Sequence, residues 1–264
     1  MRRSPTEPLI VTDDRRLTAG EFLAQAQALT DRLPPAAYLI NLCGDRHAFS
    51  VAFAAALISG RTNLLPGNRL AETVRSLIDA YPDCVAVSEE VIEGLECPQV
   101  QVGDCLNVRE RIDSIPAIPG EQVAAVVFTS GSTGTASAIA KPWRTFHDSS
   151  RVNVTETGLD RDRICAVATV PPQHMWGLET SVLAPWFSSM VMADGQPFFA
   201  ADVIAALEKL DRPRALISTP VHLRALIESG HAMPQVDLVL SATAPLSRRL
   251  AKRLEHDTGG RVIE

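Results

Sequence analysis

The segment Phe128-Thr-Ser-Gly-Ser-Thr-Gly134 gathers residue types that can do chemistry together. Directly after the apolar run Val123–Phe128 come six successive glycine or hydroxyl residues: Thr129, Ser130, Gly131, Ser132, Thr133 and Gly134. Glycines let the backbone turn tightly and aim several N–H groups at one point, which makes an anion-binding nest. The hydroxyls of Thr129, Ser130, Ser132 and Thr133 add donors for phosphate oxygens. A Walker A loop would continue from its last glycine into Lys-Ser/Thr, whereas Gly134 leads into Thr135. A Gly-x-Ser-x-Gly nucleophile elbow fails as well, because Ser130 stands where Ser132 would need a glycine, and this argues against a serine hydrolase. The pattern predicts a loop that cradles nucleotide phosphates, with an ordinary Gly/Ser turn as the plain alternative.

Two histidines follow apolar runs of their own: His174 in Pro-Pro-Gln-His-Met-Trp-Gly177, and His222 in Thr-Pro-Val-His222. Pro220 suits the first turn of a helix, which is a structural reason sufficient for that segment. His47, His147, His231 and His256 have no partner at ligand spacing and read as surface. The five cysteines form no CxxC pair and are odd in number, so neither a disulfide framework nor a zinc site is expected, and no metal site is visible.

The elements that must position these residues alternate between short β-rich runs and helical patterns. Thr18-Ala-Gly-Glu21 reads as a capping box opening a helix with Phe22, Leu23, Ala26, Leu29 and Leu33 on one face. Strands are predicted at Ala37–Leu42, Thr62–Leu65, Val85–Ser88, Cys97–Val102, Val123–Thr129, Ile164–Thr169, Ala215–Ser218 and Val236–Leu240. Helices are predicted at Arg46–Ser59, Leu70–Ala80, Trp143–Thr157, Gly177–Ser189, Ala201–Leu210 (capped by Asp202), Val221–Ser229 and Ser247–His256. Such alternation means an α/β fold with mostly parallel sheets flanked by helices. The Pro-rich stretch Ile115–Gly120 suggests two units, residues 1–118 and 119–264. Ligands of such sheets bind beyond the carboxyl ends of strands, so the segments after Thr129, Thr169, Ser218 and Leu240 carry the functional expectation.

Composition narrows the class further. With 46% hydrophobic and 21% charged residues, the chain can build a core and does not resemble a disordered one. A net charge of −6 argues against nucleic-acid binding as the main occupation. The apolar runs at 48–59 and 182–192 are too short to span a bilayer, and Leu9-Ile10-Val11 is too short for a signal peptide core. These features suggest a soluble, cytoplasmic protein.

Phe128–Gly134 resembles the phosphate-loop signature of the AMP-forming acyl- and aryl-acid ligases, the adenylate-forming superfamily. Three further segments are similar in order: Asn63-Leu-Leu-Pro66, Val170-Pro-Pro-Gln-His-Met-Trp-Gly177, and Leu238-Val-Leu-Ser-Ala-Thr-Ala-Pro-Leu246. The resemblance implies the acyl-CoA synthetase-like N-terminal fold. It also implies ATP and Mg²⁺ as cofactors, a carboxylic acid substrate (aryl or fatty), and coenzyme A or a carrier-protein phosphopantetheine as acceptor. An acyl carrier protein is then one candidate partner. On the same grounds Thr129–Gly134 would hold phosphates, and Thr243, Ala244 and Pro245 would form the adenine turn. His174 would sit by the substrate carboxylate, and Trp176, Gly177 and His222 would line the acyl pocket. For His174 a backbone-bonding role at a helix start stays open, and for Trp176 a place in the core.

The departures are as informative. The family loop continues Gly-x-Pro-Lys-Gly, but here the lysine, Lys141, arrives four positions late on what reads as an extended loop. Lys141 is either a phosphate-neutralising residue or a solvated loop lysine. This variant looks most like acid–AMP ligases of pigment- and polyketide-type pathways. Ala242-Thr243 replaces the usual Gly-Gly, leaving the adenine turn less backbone freedom. The family's magnesium-holding Glu, ribose-binding Asp and mobile domain with a catalytic Lys would follow Arg261-Val-Ile-Glu264. The expectation is therefore the front portion of a ligase, slow at adenylation by itself, or else a truncated nucleotide-binding or regulatory module.

Overall fold

The computed structural model describes residues 3–129, 137–160 and 163–264. Its strands are β1 (Pro8–Val11), β2 (Arg16–Thr18), β3 (Tyr38–Asn41), β4 (Thr62–Leu65), β5 (Cys84–Ser88), β6 (Gln99–Gln101), β7 (Val123–Thr129), β8 (Ser137–Pro142), β9 (Cys165–Ala168), β10 (Val191–Ala193), β11 (Arg214–Ser218), β12 (Leu238–Ser241) and β13 (Arg261–Ile263). They form one sheet in the order β6-β5-β3-β4-β7-β8 and another in the order β13-β12-β11-β9-β10-β1-β2. Pairing is parallel except for the β1–β2 and β7–β8 hairpins at the sheet edges. This is the predicted class. Every residue of β5 and β9 is buried, as strands covered by helices on both faces require.

Strand membership does not follow the chain on either side of residue 118. β7 and β8, beyond the Pro-rich stretch, complete the sheet of β3–β6, while β1 and β2 pair onto β10. The helix Ala19–Arg32 starts at the predicted capping box: Glu21 N–H donates to Thr18 Oγ1 (3.3 Å) and Thr18 N–H to Glu21 Oε2 (2.8 Å). Helix Arg46–Ile58 is buried on every side except at its last residue, and the core around it draws side chains from both sheets. Phe53 anchors that core, with ring centroids 6.4 Å from Phe49, 6.3 Å from Phe146 and 6.1 Å from Trp186.

Several expectations are corrected. Lys141 lies not on a loop but in β8, an edge strand whose Ala138, Ile139 and Ala140 are exposed and whose final Pro142 is tolerated there. Asp202 is not the cap of its helix: Phe199 precedes Ala200–Glu208 and no side chain caps it. The helix expected at 177–189 is a short turn, Met175–Gly177, then a π-helix, Leu178–Leu183, then Ala184–Phe187. Pro185 has no N–H to offer the carbonyl of Ser181, and the preceding turn widens. His47, read as surface, is 5% exposed.

Candidate functional site

Strands β9, β11 and β12 are parallel neighbours, so the segments that follow them leave at one edge. A buried hydroxyl residue ends β11 and β12 (Ser218, Ser241) and directly follows β9 (Thr169). Ser218 and Ser241 are register partners, and Thr169 N–H donates to Ile217 O (3.0 Å), which sets the three hydroxyls in a row. Thr169 Oγ1 and Ser218 Oγ are 2.8 Å apart, and Thr169 Oγ1 lies 3.0 Å from His222 Nδ1. One hydroxyl proton cannot serve both contacts, so the three groups form a relay whose polarity follows the His222 tautomer. Ser241 Oγ is buried with no partner among the described residues.

His222 reaches this row because helix Pro220–Glu228 starts where the sequence says it should. Thr219 Oγ1 accepts from His222 N–H (3.4 Å), and Pro220 occupies the first turn. Exposed Phe198 meets the His222 ring edge-on, with centroids 5.2 Å apart. The structure thus brings His222, Thr169 and Ser218 together, a grouping the sequence alone did not single out. The available signal was three apolar strands each ending in Ser or Thr with a proline two to four residues on: Pro171, Pro220 and Pro245.

The segment after β9 carries His174, Trp176 and Gly177. His174 precedes the turn Met175–Gly177, exposed, its N–H donating to Pro171 O (3.3 Å) and its carbonyl accepting from Leu178 N–H (2.8 Å). Though exposed at the surface, its imidazole loses part of its hydration to the surrounding segment, which lowers its pKa from the ordinary value. Gly177 has a steric reason to be glycine: a Cβ there would stand 2.0 Å from Pro171 O. Trp176 is partly buried against the core, and its Nε1 has no partner among the described residues.

The segment after β12 holds Thr243, Ala244 and Pro245, all exposed. Thr243 takes φ +80°, the left-handed region, where the family pattern offers glycine. Leu246 N–H beyond it donates to Glu264 Oε1 (2.7 Å). In the other sheet, β7 ends at Thr129 as predicted; Ser130, Gly131, Ser132, Thr133 and Gly134 lie outside the described residues. Lys141 pairs with Ala125, four steps along the hairpin from the Thr129–Ser137 pair. That is about 13 Å of strand, so Lys141 is not gathered at the loop end of the hairpin.

A second polar cluster lies where helix Arg46–Ile58 begins. Asp45, His47 and Asp194 bring one ligand-type atom each within 4.8 Å of one another. The existing partners already satisfy this group. Asp45 Oδ1 accepts from Ala48 N–H (3.0 Å), and Asp194 Oδ1 from His47 N–H (3.1 Å) and Gly195 N–H (2.7 Å). His47 Nε2 is 2.6 Å from Gln25 Oε1; Gln25 Nε2 donates to Leu106 O (2.7 Å), so the His47 proton sits on Nε2. Burial drives the His47 pKa down to about 4. Burial and the neighbouring Asp45 push Asp194 up to about 7, so a shared proton joins the two carboxyls. With the Arg46 guanidinium buried alongside, the arrangement suits a proton rather than a metal cation.

The fold has close relatives in known structures. ATP-bound MatB from Rhodopseudomonas palustris superposes with a TM-score of 0.80 at 16% identity, over 98% of this chain and 56% of that one. The AMP complex of o-succinylbenzoate coenzyme A synthetase (MenE) from Bacillus subtilis gives 0.80 at 17%, over 98% and 56%. A malonyl-CoA ligase with methylmalonyl-CoA and AMP bound gives 0.78 at 20%, over 98% and 57%. At these identities the likeness is one of fold, and the chain spans a little more than half the length of each structure. Curated protein sequences give no significant match. The profile of the AMP-binding enzyme family, however, matches residues 1–264. The chain belongs to the AMP-binding enzyme family.

Proposed function

We propose that this chain is the N-terminal region of an ATP-dependent acid–AMP ligase, which activates an aryl or fatty acid as its acyl adenylate for transfer to coenzyme A or a carrier-protein thiol. The observation that carries this reading is the hydroxyl row at the carboxyl edge of β9, β11 and β12, with His222 bonded into it and Ser241 Oγ unpartnered. Family membership supplies the reaction type.

Adenylation joins a carboxylate oxygen to the α-phosphorus of ATP and releases pyrophosphate. It asks side chains mainly to position and to stabilise charge. In this reading the backbone N–H groups and hydroxyls of Thr129–Gly134 take the β- and γ-phosphates, whose remaining charge a bound Mg²⁺ would neutralise. Thr243–Pro245 borders the adenine. His174, Trp176, Gly177 and His222 surround the acid, and exposed Phe198 adds an apolar rim suited to an aryl or alkyl group. The Ser218–Thr169–His222 relay holds the imidazole in one orientation and lets it donate to the incoming carboxylate. Lys141 remains a candidate for charge neutralisation only if the hairpin and the phosphates approach each other.

The test is pyrophosphate exchange with ATP and Mg²⁺ against a panel of aryl and fatty acids, alongside calorimetric titration with a non-hydrolysable acyl-sulfamoyl adenosine. Analogue binding that His222→Ala weakens supports the reading. A protein that binds neither ATP nor any such analogue overturns it.

A further inference from the structure

One buried side chain connects the two sheets at the point where the chain departs for the candidate site. Arg46, 1% exposed, opens helix Arg46–Ile58 after β3, yet its guanidinium reaches the end of β9 in the other sheet. Nη2 donates to Ala168 O and to Val170 O, both at 2.9 Å. Nη1 donates to Ser181 Oγ in the π-helix, and Ser181 Oγ donates in turn to Gly177 O (2.5 Å). The guanidinium therefore grips the start of the Val170–Gly177 segment directly and its end through one hydroxyl. Between those ends lie His174 and Trp176. The Pro171 carbonyl packs where a Gly177 Cβ would be, closing the segment from within.

We propose that Arg46 is a positioning residue for the candidate site, holding the Val170–Gly177 segment closed so that His174 keeps one geometry at the carboxyl edge. The proposal rests on the reading of that edge as the acid-binding site. A guanidinium is suited to the task because its planar fork can hold two carbonyls and a hydroxyl at once, which an ammonium cannot. Stability alone does not account for it. Burying a guanidinium strips it of hydration, and a well-packed apolar residue would bridge helix and sheet at less cost. Arg46 bears that cost visibly: Nε has no partner among the described residues, and burial lowers its pKa to about 10. Asp45 and Asp194 oppose that shift and keep the group charged.

Imidazole-detected NMR titration of the whole chain tests this, comparing wild type with Arg46→Lys, Arg46→Met and Ser181→Ala. With the segment released, His174 gains water and its pKa rises toward the ordinary imidazole value; the shift is largest for Arg46→Met and smallest for Ser181→Ala. His231 and His256, which no residue of this network touches, stay where they are. Folded variants whose His174 titration matches wild type overturn the proposal. Should Arg46→Met fail to fold, Arg46→Lys and Ser181→Ala decide by the same criterion. Where wild type binds an acyl-sulfamoyl adenosine, Arg46→Lys is expected to weaken it about tenfold, the worth of one charge-assisted hydrogen bond. Unchanged affinity overturns the positioning role. If wild type binds no analogue, the reading of the site fails, while the His174 titration still decides what Arg46 does to the segment.

Discussion

His47 and Asp194 touch, and their titrations pull stability in opposite directions over the same pH range. The folded pKa of His47 is lowered to about 4 from an ordinary 6.5, so below 6.5 the unfolded chain takes up the proton first. Stability from His47 therefore falls as the pH drops from 6.5 to about 4. The folded pKa of Asp194 is raised to about 7 from 3.8, so here the folded chain takes up the proton first. Stability from Asp194 is complete below 3.8 and is lost as the pH rises toward 7. Each slope is about 1.4 kcal/mol per pH unit for one proton, and the two nearly cancel. Denaturant midpoints should then change little for wild type between pH 4 and 6.5. Asp194→Asn should lose stability in acid, and His47→Gln should gain it. Parallel pH profiles for the two variants would refute the opposed pair.

Thr243 offers a second test at this scale. A β-branched residue at φ +80° carries about 1–2 kcal/mol of backbone strain. Glycine would remove that strain while adding roughly 0.5–1 kcal/mol of unfolded-chain entropy. Thr243→Gly is thus expected to raise the urea midpoint, by up to about 1 kcal/mol in stability; a lower midpoint would mean the threonine side chain contributes contacts that outweigh the strain.

Among the elements, the broken helix after β9 makes the sharpest prediction. Gly177→Ala places a Cβ 2.0 Å from one backbone oxygen and 2.8 Å from its carbon, atoms that cannot rotate away. Thermal unfolding should show a loss of roughly 1–3 kcal/mol, the usual cost of overpacking. Elements with strong local signals were legible in sequence. Thr62–Leu65, Val123–Thr129 and Trp143–Thr157 have the bounds their patterns suggested, and the Thr18–Glu21 capping box forms as its spacing required. The strands that escaped notice, β1, β2, β10 and β13, are three or four residues long and owe their existence to partners far away in sequence. β8 escaped for another reason: an exposed edge strand of Ser, Ala and Lys has no apolar alternation to announce it. The site divides in the same way. His222 and the segments beyond β9 and β12 were marked by their place after apolar strands. The hydroxyl row and the burial of His47 depend on register and on Gln25, and no local window contains those relations.

For the whole molecule, the interleaving of the two sheets is the governing feature. Because β7 and β8 complete one sheet and β1 and β2 the other, neither 1–118 nor 119–264 contains all the partners of its own strands. Unfolding of the chain, followed by tryptophan fluorescence and far-UV circular dichroism, is expected to give one coincident transition. Two separated transitions would show that the sheets are independent units after all.

The pairing of β1 with β10 also imposes a schedule. Ile10 must find Met192, and buried Arg3 must donate to Ser188 O (3.2 Å) and Met190 O (2.6 Å), some 180 residues downstream. At ribosomal speeds of about 5–20 residues per second, β1 waits on the order of 10–30 s for its partner. Closing so long a loop comes before any contact rewards it, which makes this a slow, high-contact-order step. Until then Leu9, Ile10 and Leu17, all buried in the finished fold, have no permanent cover. β1 is made some 180 residues before the strand that houses it, and a nascent chain of this fold depends on whatever shields that apolar hairpin in the meantime.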